Sequence, residues 1–409
     1  MEEKGFKVYG YRWVVLVAFM LVVVMNQLSW ITFASITSEA ARYYHVSEIL
    51  IGLLSLCFMA VYIVVSIPAS WLIDTRGIRA AVGVGAVLTG LFGLLRGLTA
   101  RSYGMVLLSQ VGIAVGQPFV LNAITKIAAR WFPMRERATA SGLGTLAIYL
   151  GILLGLALTP LLVMRLSIRG MLVAYGIAAL LAAGVFFGLV RERPPSPPCP
   201  PDQESRSLVL DGLRLILRKR DFKFLMVIFF VGLGVFNAVT TWIENILAPR
   251  GFSPLQAGIG GGLMIVGGIL GALVMPSLSD RTRRRIPFIF LALAGAIVGL
   301  VGITYAAHTW LLLASALVFG FFLLSAGPVG FQYGAEVSYP APEGTSNGLL
   351  LLMGQISGII FILGLDSFKS PRTGSMTSPL IVLIALMGLS LVLCALLKES
   401  ALINEYKGR

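Results

Sequence analysis

Charge is scarce in this chain: Asp, Glu, Lys and Arg make up 12% of its 409 residues, against 57% hydrophobic residues and a mean hydropathy of +0.90. That excludes a water-soluble globule around one apolar core, which needs roughly twice this share of charge. Cysteine occurs three times and histidine twice. Cys57, Cys199 and Cys394 are scattered, without metal-ligand spacing or an even disulfide set, and read as unpaired. No metal cluster, Ser-His-Asp set or phosphate loop stands out, so an enzyme is not expected, and neither is a cofactor. The one excess is of positive charge, 32 Lys and Arg against 18 Asp and Glu. A nucleic-acid partner would need a basic patch set in polar surface, which this chain lacks. Basic loops on one side of a membrane explain the excess better.

Long apolar runs bounded by charges or turn residues number twelve, each near the length of about 20 residues that crosses a bilayer. They cover residues 12–40, 48–73, 78–98, 103–128, 136–163, 169–190, 222–247, 254–278, 286–306, 309–333, 343–365 and 375–397. The first follows a basic start but is twice as long as a signal-peptide core, and is expected to be a retained span. The runs are continuous rather than alternating, which excludes a closed barrel. The expected fold is an all-α membrane protein of twelve transmembrane helices in two pseudo-symmetric six-helix halves, residues 1–190 and 222–409. The joint at 191–221 begins RERPPSPPCPPDQESRS, too proline-rich for a helix. Its end, SLVLDGLRLILRKR, reads as an amphipathic surface helix or as plain connection. With both termini and this joint on one side, 24 of the 32 Lys and Arg share that side, and only Arg42, Arg96, Arg101, Arg165, Arg169, Arg250, Lys369 and Arg372 lie opposite. Both termini are therefore expected in the cytoplasm of a cell, under a plasma membrane whose anionic headgroups meet the basic loops. A monomer is expected.

The halves repeat each other. GQPFVLNAITKIAARWFPMRERATASG, Gly116 to Gly142, recurs about 207 positions later as GPVGFQYGAEVSYPAPEGTSNG, with Phe132-Pro133 matching Tyr339-Pro340 and Glu136 matching Glu343. SWLIDTRGIR and PSLSDRTRRR each put an aspartate before a basic cluster, Asp74 with Arg76 and Arg79, Asp280 with Arg281. Such loops serve either as latches, an acid held by guanidiniums or a helix N-terminus, or as orientation signals alone. Duplicated halves fit the major facilitator plan, in which a site at mid-membrane opens alternately to either side.

Amides inside spans are the candidates for that site. At about 1.5 Å per residue, Trp30 lies about 15 Å and Gln117 about 21 Å from the outer end, and Gln355 about 18 Å and Asn237 about 22 Å from the inner end, so all four fall near mid-membrane. Asn26, Gln27, Gln117, Asn122, Asn237 and Gln355 are expected to face the bundle interior or a wet cavity, either bonding between helices or meeting a solute. Trp30 is either an interfacial tryptophan or a cavity residue whose ring holds a cation, worth roughly 2 kcal/mol when desolvated. Glu244 is the best acid for a cation or a proton, although its place at the end of span seven points to a solvated rim. The glycines from Gly258 to Gly271 read as close helix packing.

The runs YRWVVLVAFM, NQLSW, PASWLIDTRGIR, the stretch from Gln117 through RWFP, and AEVSYP with EGTSNGLL resemble the feline leukemia virus subgroup C receptor family of heme and choline transporters. The likeness covers most of the chain. It implies alternating-access transport, with an aromatic cage for a quaternary ammonium. Trp30, Gln117 and Gln355 stand where that family places its span-one tryptophan and its two glutamines. The span-seven tyrosine is replaced by Asn237. Heme, the family's other solute, takes His, Met, Cys or Tyr ligands, and His45 and His308 fall in expected outer loops. The reading is a facilitative transporter of a choline- or ethanolamine-like solute. The alternatives are proton-coupled transport of an organic anion, drug or heme, and a membrane receptor that does not translocate.

Overall fold

The structure is a computed structural model that describes residues 8–133, 136–196, 216–339 and 343–400, with the backbone alone at Asp74, Ala138 and 343–345. Cys199 and residues 207–215, the larger part of the expected amphipathic helix, lie outside the described residues. Among the described residues no strand occurs. In lipid, only a helix satisfies every backbone N–H and C=O within its own segment, and runs this apolar have no other option.

Two compact units divide the chain, Met1–Arg206 and Ser207–Arg409. The first contains α1 (Arg12–Ile31), α2 (Thr37–Tyr44), α3 (Glu48–Thr75), α4 (Ile78–Leu98), α5 (Tyr103–Leu121), α6 (Ile124–Trp131) and α7 (Arg137–Leu189). The second contains α8 (Arg220–Thr241), α9 (Ile243–Leu247), α10 (Pro254–Thr282), α11 (Ile286–Tyr305), α12 (Thr309–Ser338), α13 (Glu343–Ser367) and α14 (Thr377–Ala395). Eleven of these segments are long and apolar enough to cross a membrane, and one of them holds two spans. That one is α7, whose helical path is broken at Ser167 (φ 65°), where spans five and six meet with almost no loop.

The same packing occurs twice. In the first unit α1 lies on the first half of α7, α3 on α5, and α4 on α5 and the second half of α7. In the second, α8 lies on α13, α10 on α12, and α11 on α12 and α14. The glycine-rich stretch of α10 works as packing: a Cβ on Gly271 would overlap the carbonyl oxygen of Phe321, and one on Gly320 that of Met264. Backbone meets backbone at this crossing, where dispersion replaces the hydrophobic effect as the attraction between helices.

Three expected spans are interrupted. Span one, expected from 12 to 40, stops at Ile31, and the chain turns tightly through Ala34 N to Ile31 O (3.0 Å) and Ile36 N to Phe33 O (3.2 Å) before α2. Span four breaks at Asn122–Ala123, one turn after Pro118, whose missing N–H leaves its helix a bond short. Span seven is also jointed, at Trp242 between α8 and α9, so the first span of each unit is discontinuous.

Candidate functional site

Trp30 sits in the last turn of α1, 6% exposed, directly before the break. Its indole N–H donates to Ser55 O (3.2 Å), and the Ser55 hydroxyl donates to Trp30 O (3.2 Å). This exchange ties the end of α1 to α3 and uses only the edge of the ring. Nearby amides are less free. Asn26 donates to Thr89 Oγ1 (3.1 Å), and Gln27 donates to Asn26 Oδ1 (3.3 Å).

Gln117 and Asn122, both on the α5 side, differ in kind. Asn122 donates to Ser66 Oγ and Ser70 Oγ (3.0 Å each) and accepts from the Tyr62 hydroxyl (2.7 Å). Its donors are committed to holding α3 against α5. Gln117 is 6% exposed and makes no hydrogen bond among the described residues. Its amide atoms are not among the fully buried ones without a partner, so they remain accessible to water or a solute.

In the second unit, Asn237 of α8 donates to Gly354 O (3.2 Å) and Trp242 donates to Ile362 O (2.9 Å), so two side chains of span seven hold span eleven. Gln355, the residue after Gly354, is half-buried and makes no hydrogen bond among the described residues. Glu244, placed by its position at a solvated rim, is instead 3% exposed in the short helix α9. The helix is jointed at Trp242, and all five residues of α9 are buried.

A residue counted above only as a loop charge is also internal. Arg96, in the last turn of α4, has no exposed surface, and its Nη1 donates to Ser29 O (3.1 Å) and Gln110 Oε1 (2.7 Å). Gln110 in turn donates to Ser29 O (3.0 Å). Because α1 stops at Ile31, the Ser29 carbonyl has lost its helical donor, and these two side chains replace it. No sequence rule separates such an arginine from a topogenic one; its neighbour Gln110, an amide in an apolar run, was the available signal.

At the basic face, Asp74 lies outside the described side chains and Arg76 is exposed. Arg79 donates to Phe187 O (3.1 Å). Asp280 pairs with Arg285 rather than with the neighbouring Arg281, which is exposed. Arg285 also bonds Glu336 (3.1 Å) and Ser279 Oγ (3.1 Å). Burial works against its charge, but the carboxylates of Asp280 and Glu336 outweigh burial and raise its pKa.

Helix N-termini on this face are held by two glutamates that the sequence reading passed over. Glu192 accepts from Ile78 N (3.0 Å) and Arg79 N (2.7 Å) and forms an ion pair with Arg130. Glu399 accepts from Arg285 N (2.9 Å) and Ile286 N (3.1 Å). Arg12 bonds Glu136 (2.9 Å), while Lys219 donates to Val337 O and Tyr339 O (2.8 Å each). A mixed-charge cleft of about 360 Å³ beside Lys219, Asp221, Glu336 and Lys398 belongs to this network and contains none of the candidate amides.

Residues 19–362 match the profile of the Major Facilitator Superfamily. Solute carrier family 49 member A3 of Xenopus tropicalis is 33% identical over 398 residues, covering 92% of this chain and 82% of that protein. The choline/ethanolamine transporter FLVCR2 of Homo sapiens is 28% identical, covering 87% and 71%. Among solved structures, a bacterial homologue of the human lysosomal transporter Spinster, in an inward-facing and unoccupied conformation, superposes with a TM-score of 0.72 at 16% identity, covering 95% of this chain and 96% of that one. That last likeness is one of fold.

Proposed function

The chain belongs to the Major Facilitator Superfamily, on its solute carrier family 49 branch, and from that premise we propose that it carries a small polar or cationic solute of the choline or ethanolamine kind across a membrane by facilitative alternating access. The observation that carries this reading is Trp30, buried at the end of a discontinuous helix with its N–H already bonded, so that only π surface is left for a ligand. A desolvated cation over an indole gains roughly 2 kcal/mol, about thirty-fold in affinity. Gln117 and Gln355 supply unpaired amides, and relatives named as choline/ethanolamine transporters support the solute class. Gln27, Asn122 and Asn237 act around them by holding helices in place.

The protein is an integral multi-pass membrane protein. In this reading it is a monomer in the plasma membrane, its basic face is cytoplasmic, and the groups around Asp74, Arg76, Arg79, Asp280, Arg281 and Arg285 latch that face. The buried carboxylate of Glu244 favours a second reading, proton coupling.

Radiolabelled choline uptake into proteoliposomes tests the proposal. Saturable uptake without a pH gradient, lost in Trp30→Ala, is expected. Uptake that requires a pH gradient and disappears in Glu244→Gln would replace facilitative transport with proton coupling. Binding without flux in sealed vesicles would make the protein a receptor.

A further inference from the structure

Arg96 is bonded on one side only. Its Nη1 is used by Ser29 O and Gln110 Oε1, yet Nε and Nη2 have no acceptor, and no carboxylate pairs with it among the described residues. Nε and Nη2 together form the side edge of the guanidinium, the fork whose two parallel N–H groups match the two oxygens of a carboxylate. Leaving that edge empty is costly twice over, since a buried cation lacks a counter-charge and two donors lack acceptors.

A hydroxyl without a partner also belongs to this region. The guanidinium carbon lies 5.8 Å from the centroid of the Phe33 ring, and that ring lies 6.5 Å from the ring of Tyr44. The Tyr44 hydroxyl is buried without a partner, and so is the hydroxyl of Ser35, two residues from Phe33. A cation placed here would be repelled by Arg96 and would find no carboxylate, whereas an anionic group would satisfy the open edge and take a further bond from Tyr44.

We propose that Arg96 receives the carboxylate of the transported solute, and that the solute is a zwitterion whose ammonium group lies on Trp30. The two groups are close in space, because Arg96 is hydrogen-bonded to the carbonyl of Ser29 (3.1 Å), the residue before Trp30. This inference rests on the reading of Trp30 as a substrate residue and narrows the solute class within it. An amine without an anionic group uses half of the site.

Choline and glycine betaine make the test, since both carry a trimethylammonium group and only betaine carries a carboxylate. Thermal unfolding of the purified full chain is titrated with each in a carboxylate-free HEPES buffer, with and without chloride. The expected result is that betaine binds at least ten-fold more tightly than choline. Arg96→Lys, which keeps the charge and loses the fork, and Tyr44→Phe should each weaken betaine several-fold more than they weaken choline. Tyr44→Phe carries the test if Arg96→Lys fails to fold. Choline binding that depends on Trp30, with betaine no tighter, would overturn the inference and leave the proposed function standing. So would betaine binding that survives both variants, or chloride alone giving the full stabilisation. Silence of both ligands would overturn the two together.

Discussion

Glu192 and Glu399 do the same work in the two units: each carboxylate, just beyond the last span of its unit, accepts the first backbone N–H groups of that unit's third span. The spacing is 207 residues both between the carboxylates (399 − 192) and between the first donors (285 − 78). Four N–H groups at a helix start have no partner inside the helix, and the positive end of the helix dipole favours an anion there.

Glu192→Ala and Glu399→Ala should each lower stability by about 1–2 kcal/mol, the range for removing a helix cap. Glutamine, which keeps one acceptor oxygen, should recover part of it. Apparent unfolding midpoints of the purified protein read both, and unchanged midpoints in the alanine variants would refute the capping role.

Gly77 is the N-cap residue of α4 with φ +94°, and a Cβ there would collide with the Glu192 carboxylate. Gly77→Ala is expected to cost at least about 1 kcal/mol through backbone strain alone. Combined with Glu192→Ala, the loss should be less than additive, because the two substitutions disturb one contact. A double-mutant cycle measures this.

Asn122 and Gln117 should separate stability from binding. Asn122→Leu leaves Tyr62, Ser66 and Ser70 without their partner and should lower stability by about 1–3 kcal/mol, with ligand affinity little changed in the protein that folds. Gln117→Leu removes an amide that bonds nothing among the described residues, so the midpoint should hold or rise while affinity falls. The same titration compares both.

Gly320→Val tests the crossing of α10 and α12. With Met264 O occupying the place of a side chain, the helices must separate, and a loss of about 1–3 kcal/mol or failure to express as a monodisperse protein is expected.

Much of this was legible in the residues. Twelve apolar runs marked the spans, and the 207-residue repeat around Phe132 and Tyr339 marked the two units. The glycines of α10 announced close packing. Side-chain partners were less accessible: Asn122 and Gln117 look alike as polar residues in one apolar stretch, and only the arrangement of Tyr62, Ser66 and Ser70 makes one structural and leaves the other open. Glu192 was hidden inside a proline-rich run that read as linker, although its 207-residue offset from Glu399 was present in the sequence.

By itself, the sequence determined that the chain crosses a membrane as helices, how many times, and that one half repeats the other. Those properties follow from local quantities, the length of an apolar run and the obligation of every backbone group to bond within it. Tertiary structure alone decided where spans one and seven break, that Glu244 and Arg96 are interior, and which polar groups remain without a partner. A charge at the end of a span is written the same way whether it faces water or a neighbouring helix. What separates the two is the position of residues far along the chain, Ser29 and Gln110 for Arg96, and that position exists only in the folded protein.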